Sequence, residues 1–63
     1  MKVKLARIKK GLTQDELRRL VRTSPKTLVA IEKGNYDNVT LKLMKAIANV
    51  LDETVENLFL NKE

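Results

Sequence analysis

The chain has 63 residues, which is room for one small domain. Hydrophobic residues make up 43% and charged residues 33%, proportions that are typical of a globular chain. The sequence contains no Cys and no His. This excludes disulfides and thiolate or imidazole metal sites, and it removes the commonest general base. We therefore expect no enzymatic activity. The spacing of a calcium loop is missing too, so no metal is expected, and no cofactor or small-molecule ligand is evident.

The net charge of +5 is distributed unevenly along the chain. Residues 1–33 carry ten basic against three acidic side chains, whereas residues 34–63 carry three basic against five acidic ones. A basic half indicates a polyanionic partner, of which nucleic acid is the commonest and an anionic membrane surface is the rival. A basic surface that is merely solvated is the third alternative. No apolar run approaches the roughly 20 residues that cross a bilayer, and the start of the chain does not have the pattern of a signal peptide.

The first predicted helix covers residues 2–10. Met1, Leu5, Ile8 and Leu12 recur at helical spacing, and Gly11 ends the helix.

The second helix begins at a capping box. Thr13 and Glu16 are three residues apart, so the hydroxyl and the carboxylate can each accept from the other residue's backbone N–H. The helix is predicted to end near residues 21–22, with Leu17, Leu20 and Val21 as its buried stripe.

Ser24 and Pro25 start the third helix, because Ser is a favourable N-cap and Pro suits the first helical position. This helix is predicted to run to about Lys33, with Leu28 and Ile31 facing inward, and a glycine follows it.

Two further helices begin at Thr40 and Thr54. The inward positions of the fourth helix are Leu41, Met44, Ile47, Ala48 and Leu51, and the fifth helix contains Val55, Leu58 and Phe59. No strand, repeat or linker is evident, so the fold class is all-α and residues 1–63 are expected to form a single domain.

Two of these helices have helix-turn-helix spacing, with residues 14–21 and 25–33 joined by a turn at residues 22–24. In that motif the second helix enters the DNA major groove by its N-terminal residues. Spacing alone is equally typical of an ordinary αα-hairpin.

The sequence of this unit is similar to a known family. The run Gly11–Leu17, followed by the run Ile31–Gly34, resembles the Cro/phage-repressor (Xre-type) helix-turn-helix family. The resemblance extends from about Val3 to Phe59. It implies a compact five-helix bundle of the lambda-repressor-like DNA-binding type, with the helix-turn-helix at residues 14–33 and double-stranded DNA as the partner.

The resemblance also implies roles for individual residues. The positions expected to contact bases are Pro25, Lys26, Thr27 and Ala30. The positions expected to contact phosphates are Gln14, Arg22, Ser24, Lys33, Asn35, Tyr36 and Thr40. Arg7 and Glu32 match a partly buried ion pair that ties the first helix to the third. The family usually has Gly where Arg22 stands, so a positive φ is expected there.

The end of the chain is more apolar than a small final helix requires. Its apolar residues are Val55, Leu58, Phe59 and Leu60. Some of them are expected in the core and others at the two-fold surface of a homodimer.

Together these features predict a sequence-specific DNA-binding transcriptional regulator. It is expected to be a repressor that binds an inverted-repeat operator as a homodimer, in the cytoplasm of a prokaryote or encoded by a phage. The alternative is a protein-interaction module of the same fold, antitoxin- or antirepressor-like, with weak DNA binding.

Overall fold

The architecture is given by a computed structural model that describes residues 2–60. Five helices follow one another: α1 (Lys2–Lys9), α2 (Gln14–Val21), α3 (Pro25–Glu32), α4 (Leu41–Leu51) and the short π-helical α5 (Glu56–Leu60). No strand occurs in this range, so the predicted all-α class is confirmed. Met1 and residues 61–63, which the predicted domain includes, lie outside the described residues.

Each of the last four helices begins at a hydroxyl side chain, as the sequence predicts. Thr13 and Glu16 form both bonds of the capping box, at 3.0 and 2.8 Å. The Ser24 hydroxyl accepts from the backbone N–H three residues on, and Thr40 and Thr54 make the equivalent bond at 3.1 and 3.0 Å. Each bond satisfies an N–H that has no partner within its helix.

The first four helices end at residues in the left-handed conformation. Gly11 and Gly34 have φ values of 75° and 92°, and Arg22 and Asp52 have φ values of 58° and 61°. The positive φ expected for Arg22 is therefore present, whereas no sequence pattern indicates one for Asp52. Lys10 and Lys33 were predicted inside helices but lie in these terminal turns, one residue beyond the last helical residue.

The core is built around α2, which packs against α3 and α4, while α1 packs against α3 and α5. Within residues 2–60 the buried apolar side chains are Val3, Leu17, Val21, Leu28, Ile31, Ile47, Ala48, Leu51 and Leu58. Leu12 and Met44 are only partly buried.

The expected buried stripe is wrong at two positions, Leu20 and Leu41, which are each 58% exposed. In α2 the inward arc is narrow and centres on Leu17 and Val21, four residues apart, so Leu20 lies about 100° away from Val21 on the helix. Leu41 occupies the first position of α4, ahead of that helix's buried residues, which begin at Ile47.

The apolar residues whose spacing predicts α1 do not lie on the face of that helix that is buried. Leu5 and Ile8 are exposed, whereas Val3 is fully buried and Ala6 packs against the core. Apolar residues three and four apart identify a helical face, but they do not tell which neighbour covers it.

Candidate nucleic-acid interface

The helix-turn-helix unit consists of α2, a three-residue turn and α3. Arg22 turns the chain in the left-handed conformation, and the next residue, Thr23, donates its N–H to the C=O of Arg18 at 3.0 Å. Ser24 then caps α3, so the turn is fixed by backbone bonds at both ends.

The outer side of α3 presents cationic, hydroxyl and apolar groups. Pro25 and Lys26 are exposed, and Thr27 and Ala30 are half-buried. The Ser24 hydroxyl donates to the Thr27 hydroxyl oxygen at 2.8 Å, which ties the two side chains together. Lys26 can donate hydrogen bonds to guanine acceptors. The methyl groups of Thr27 and Ala30 can pack against the methyl group of thymine.

The cations of this unit divide into two groups. Asp15 pairs with both Arg18 and Arg19, with N···O distances of 2.8 and 3.0 Å, so its one negative charge offsets one of the two positive charges. The other cations are Arg22, Lys26 and Lys33. Within residues 2–60 no acidic side chain pairs with any of those three, and all three are exposed. Unbalanced cations at the ends of α2 and α3 favour phosphate binding.

Three shallow grooves around the unit bring most of the predicted positions together. The first is lined by Lys26, Thr27, Ala30, Asn35, Asn38 and Val39. The second includes Arg22 and Thr40, and the third includes Gln14 and Pro25.

A partly buried hydrogen-bonded network, centred on the buried Glu32, joins the first three helices. Arg7 donates through Nε to Glu32 Oε2 at 2.7 Å and through Nη2 to Oε1 at 3.2 Å. Its Nη1 donates to the C=O of Leu12 at 2.7 Å. Gln14 Nε2 donates to Glu32 Oε1 at 3.0 Å. Glu32 is only 4% exposed, so these bonds help to satisfy its carboxylate. The carboxylate therefore holds α1 and the start of α2 in place on α3.

Two predicted phosphate positions follow α3. The side-chain oxygen of Asn35 accepts from the N–H of Asp37 at 3.1 Å, which shapes the loop after α3. The Tyr36 ring packs edge-on against Phe59, with ring centroids 5.1 Å apart and an interplanar angle of 75°. Tyr36 thus covers an edge of the core, whatever else its hydroxyl contacts.

The four residues considered for a dimer surface differ in how much of each side chain is exposed on the single chain. Leu58 is buried in the core of the single chain, as expected for some of these residues, and little of its surface is left for a partner. Val55 and Phe59 are half-buried, and Leu60 is 60% exposed.

Sequence reasoning missed two residues that lie beside the predicted ones. Lys42 lines the groove of Arg22 and Thr40, and Asn38 lines the groove of Lys26. Lys42 could have been predicted from the sequence, because it is a cation in the first turn after the Thr40 cap, which was itself a predicted phosphate position. Asn38 has no such signal, because only the folded loop brings it next to α3.

Other kinds of site have no support in the described part of the chain. It contains no group of acidic residues that holds a metal ion. None of its helices is long and apolar enough to span a bilayer.

Comparison with known proteins places this geometry in a family. The family model described as Helix-turn-helix matches residues 3–58. Two similar proteins come from Archaeoglobus fulgidus, and both are named uncharacterized HTH-type transcriptional regulators. One is 43% identical over 54 residues, covering 86% of this chain and 76% of the relative. The other is 39% identical over 62 residues, covering 98% and 86%.

A relative from Methanocaldococcus jannaschii with the same description is 37% identical over 62 residues, covering 98% of this chain and 92% of the relative. No solved structure matches the chain. The matched range contains the whole helix-turn-helix unit, its capped turn and its ion pair. The chain is therefore a member of the Xre-type helix-turn-helix family of DNA-binding transcriptional regulators.

Proposed function

We propose that this chain is a sequence-specific double-stranded DNA-binding regulator that represses transcription by occupying an inverted-repeat operator as a homodimer. The observation that carries the proposal is the set of three exposed cations with no ion-pair partner among residues 2–60, namely Arg22 and Lys26 at the start of α3 and Lys33 at its end. The unit's other basic side chains, Arg18 and Arg19, share the carboxylate of Asp15. In this proposal residues 1–63 act as a single DNA-binding domain in the cytoplasm of a prokaryotic cell.

The N-terminal half of α3 reads the bases in this proposal. Lys26 donates to guanine, Thr27 bonds to a neighbouring base edge, and Pro25 and Ala30 contact thymine methyl groups. These contacts are few, because no Asn, Gln or Arg side chain lies on the outer side of α3. We therefore expect phosphate contacts and DNA shape to carry much of the preference.

Phosphate contacts surround this reading surface. Arg22 and Lys33 supply charge near the two ends of α3, and the remaining proposed contacts are Gln14, Ser24, Asn35, Tyr36 and Thr40. Gln14 keeps a second amide N–H after its bond to Glu32, and that N–H is the one we assign to a phosphate.

Repression follows from occupancy. Two copies related by a two-fold axis would place their α3 helices about 34 Å apart, in successive major grooves of an inverted repeat. A dimer bound in this way blocks access of polymerase or of a competing activator to the same DNA.

The experiment that tests the proposal is selection of bound duplexes from a random DNA pool, followed by titration of the selected duplex at several salt concentrations. With three unpaired cations in each subunit, the slope of log K against log salt should be about −5 for a dimer. If no DNA motif is enriched and the chain instead binds a protein tightly in a one-to-one complex, the result would support the alternative function, a protein-interaction module of the same fold.

A matched pair of variants locates the reading surface. Lys26→Ala should cost about 1–3 kcal/mol on the selected site and relax the preference for bases. Lys45→Ala removes the same charge from the exposed side of α4 and should leave base preference unchanged. If the two variants distinguish the selected site from other DNA sequences equally well, Lys26 is not one of the residues that contact bases.

A further inference from the structure

The loop between α3 and α4 brings an amide side chain beside the residues of α3 that we assign to bases. Asn38 lines the groove that also holds three of those residues, which are Lys26, Thr27 and Ala30. The side chain of Asn38 is exposed, and within residues 2–60 its amide has no hydrogen-bond partner. Both the carbonyl oxygen and the NH₂ group of this amide are therefore free to bind a ligand that enters the groove.

The backbone on either side of Asn38 holds it in a tight turn. The N–H of Val39 donates to the C=O of Tyr36 at 3.2 Å, which makes Asp37 and Asn38 the two central residues of the turn. The Asn35 side chain supports the same turn, because its oxygen accepts from the N–H of Asp37 at 3.1 Å. The Tyr36 ring packs against α5 and so fixes the turn to the core. The amide of Asn38 is thus presented to the groove from an ordered piece of backbone.

The other amide side chains among residues 2–60 do not offer the same pair of groups at this place. Asn35 lines the same groove, but its oxygen is held by the loop. Gln14 and Asn57 each donate to a glutamate carboxylate, at 3.0 and 3.4 Å. Asn49 is exposed but lies in the second half of α4, away from this groove. Asn38 is therefore the amide of the described chain that stands beside α3 with both of its polar groups unengaged.

An amide with a free donor and a free acceptor is complementary to adenine. In the major groove adenine presents the N7 acceptor next to the N6 amino donor, and an Asn side chain can bond to both at once. Guanine presents two acceptors there, so the carbonyl oxygen of the amide would face another oxygen or nitrogen acceptor. The outer side of α3 has a cation, a hydroxyl and methyl groups but no amide. Asn38 supplies the kind of base contact that α3 itself lacks.

We propose that Asn38 determines part of the sequence specificity, by bonding to N6 and N7 of an adenine in each half-site, at a base pair adjoining those that α3 contacts. This inference rests on the proposed DNA-binding function and adds to it a base contact from outside the helix-turn-helix unit. The sequence expectation placed every base contact on α3. With Asn38 included, the loop and the helix read neighbouring base pairs from the two sides of one groove.

The test compares the wild type with Asn38→Ala on the selected duplex and on duplexes in which each base pair of one half-site is replaced in turn. The wild type should prefer adenine at one position by about 5- to 150-fold, measured as the ratio of Kd values by fluorescence anisotropy. Asn38→Ala should lose that preference alone and keep the preferences at the other positions. The φ of Asn38 is not positive and its side chain makes no bond within residues 2–60, so alanine fits the turn.

A matched control and a changed side chain make the test sharper. Asn49→Ala removes the same amide from an exposed position of α4 and should leave every base preference unchanged. Asn38→Asp should move the preference at the same position from adenine to cytosine, because a carboxylate accepts from the N4 amino group of cytosine. A change of preference of this kind does not arise from a folding defect or from a lost phosphate contact.

A base analogue identifies the atoms involved. Replacing the adenine by 7-deazaadenine removes the N7 acceptor and leaves the pairing with thymine intact. This replacement should weaken binding of the wild type and have no effect on Asn38→Ala, since that variant has no amide to lose a bond.

Three outcomes overturn the proposal. An equal loss of affinity for every duplex in Asn38→Ala would make the residue a phosphate contact. An adenine preference that survives in Asn38→Ala, or a selected site that requires no adenine, would show that the loop reads no base, while the regulator proposal stands. If the wild type selects no DNA sequence at all, the regulator proposal fails and this inference fails with it.

Discussion

Replacing Arg22 by Gly should make the protein more stable and weaken its binding to DNA. Arg22 ends α2 with φ 58° and ψ 52°, in the left-handed region. A side chain in that conformation costs about 1–2 kcal/mol, and glycine returns about 0.5–1 kcal/mol through its greater freedom in the unfolded chain. The net gain is about 0.5–1 kcal/mol, which raises Tm by about 2–8 °C in a domain of this size. Thermal unfolding followed by circular dichroism measures this gain.

The same substitution removes a charge that we assign to a phosphate. Affinity for every duplex should fall, and the magnitude of the salt slope should drop by about 0.9 for each lost contact. Stability and affinity therefore change in opposite directions, which a general folding defect would not produce. Fluorescence anisotropy at several salt concentrations gives both the affinity and the slope.

Asp52→Gly is the matched control, because Asp52 ends α4 with φ 61° and ψ 40°. Its gain in Tm should be smaller, since Asp tolerates this conformation better than Arg and the exposed contact with Lys10 at 3.7 Å is lost. Its affinity for DNA should not fall. A lower Tm for Arg22→Gly would refute the backbone argument, and an equal loss of affinity in both variants would refute the phosphate contact.

Three further changes test the packing. Leu17→Ala should cost about 2–5 kcal/mol in the free energy of unfolding, whereas Leu20→Ala should cost under about 1, and similar urea midpoints for the two would contradict the observed face of α2. Glu32→Ala leaves Arg7 without its carboxylate partner and should cost about 3–5 kcal/mol, so an unchanged melting curve would argue against the network. Gly34→Ala should cost about 1 kcal/mol from φ alone, because no atom lies within 4 Å of the added Cβ, and a wild-type Tm would show that the strain is absent.

The helix boundaries were predictable because their chemistry is local. A hydroxyl at Thr13, Ser24, Thr40 or Thr54 bonds to an N–H three residues later, and the sequence alone places both partners together. The left-handed ends were predictable only where Gly or a family pattern marked them. Asp52 has neither mark, so its conformation became visible only in the folded chain.

The faces of the helices were less predictable, because burial depends on which elements meet. Leu5, Leu20 and Leu41 have helical spacing to other apolar residues, yet α1, α2 and α4 each turn them outward. The bond from Gln14 to Glu32 was also beyond the sequence pattern, since it joins side chains 18 positions apart. Such contacts follow from the packing of α2 on α3, which no local signal specifies.

The locally encoded helix ends have a consequence for the lifetime of the protein. Helices whose starts and stops are fixed within a few residues form contacts of short sequence separation, and such chains fold in microseconds to milliseconds. The core of the described residues is also small, so we expect rapid refolding to be accompanied by frequent spontaneous opening. A ligand that binds only the folded form suppresses that opening. In the proposed function DNA is such a ligand, so bound copies are expected to open, and to be cleaved by proteases, less often than free copies.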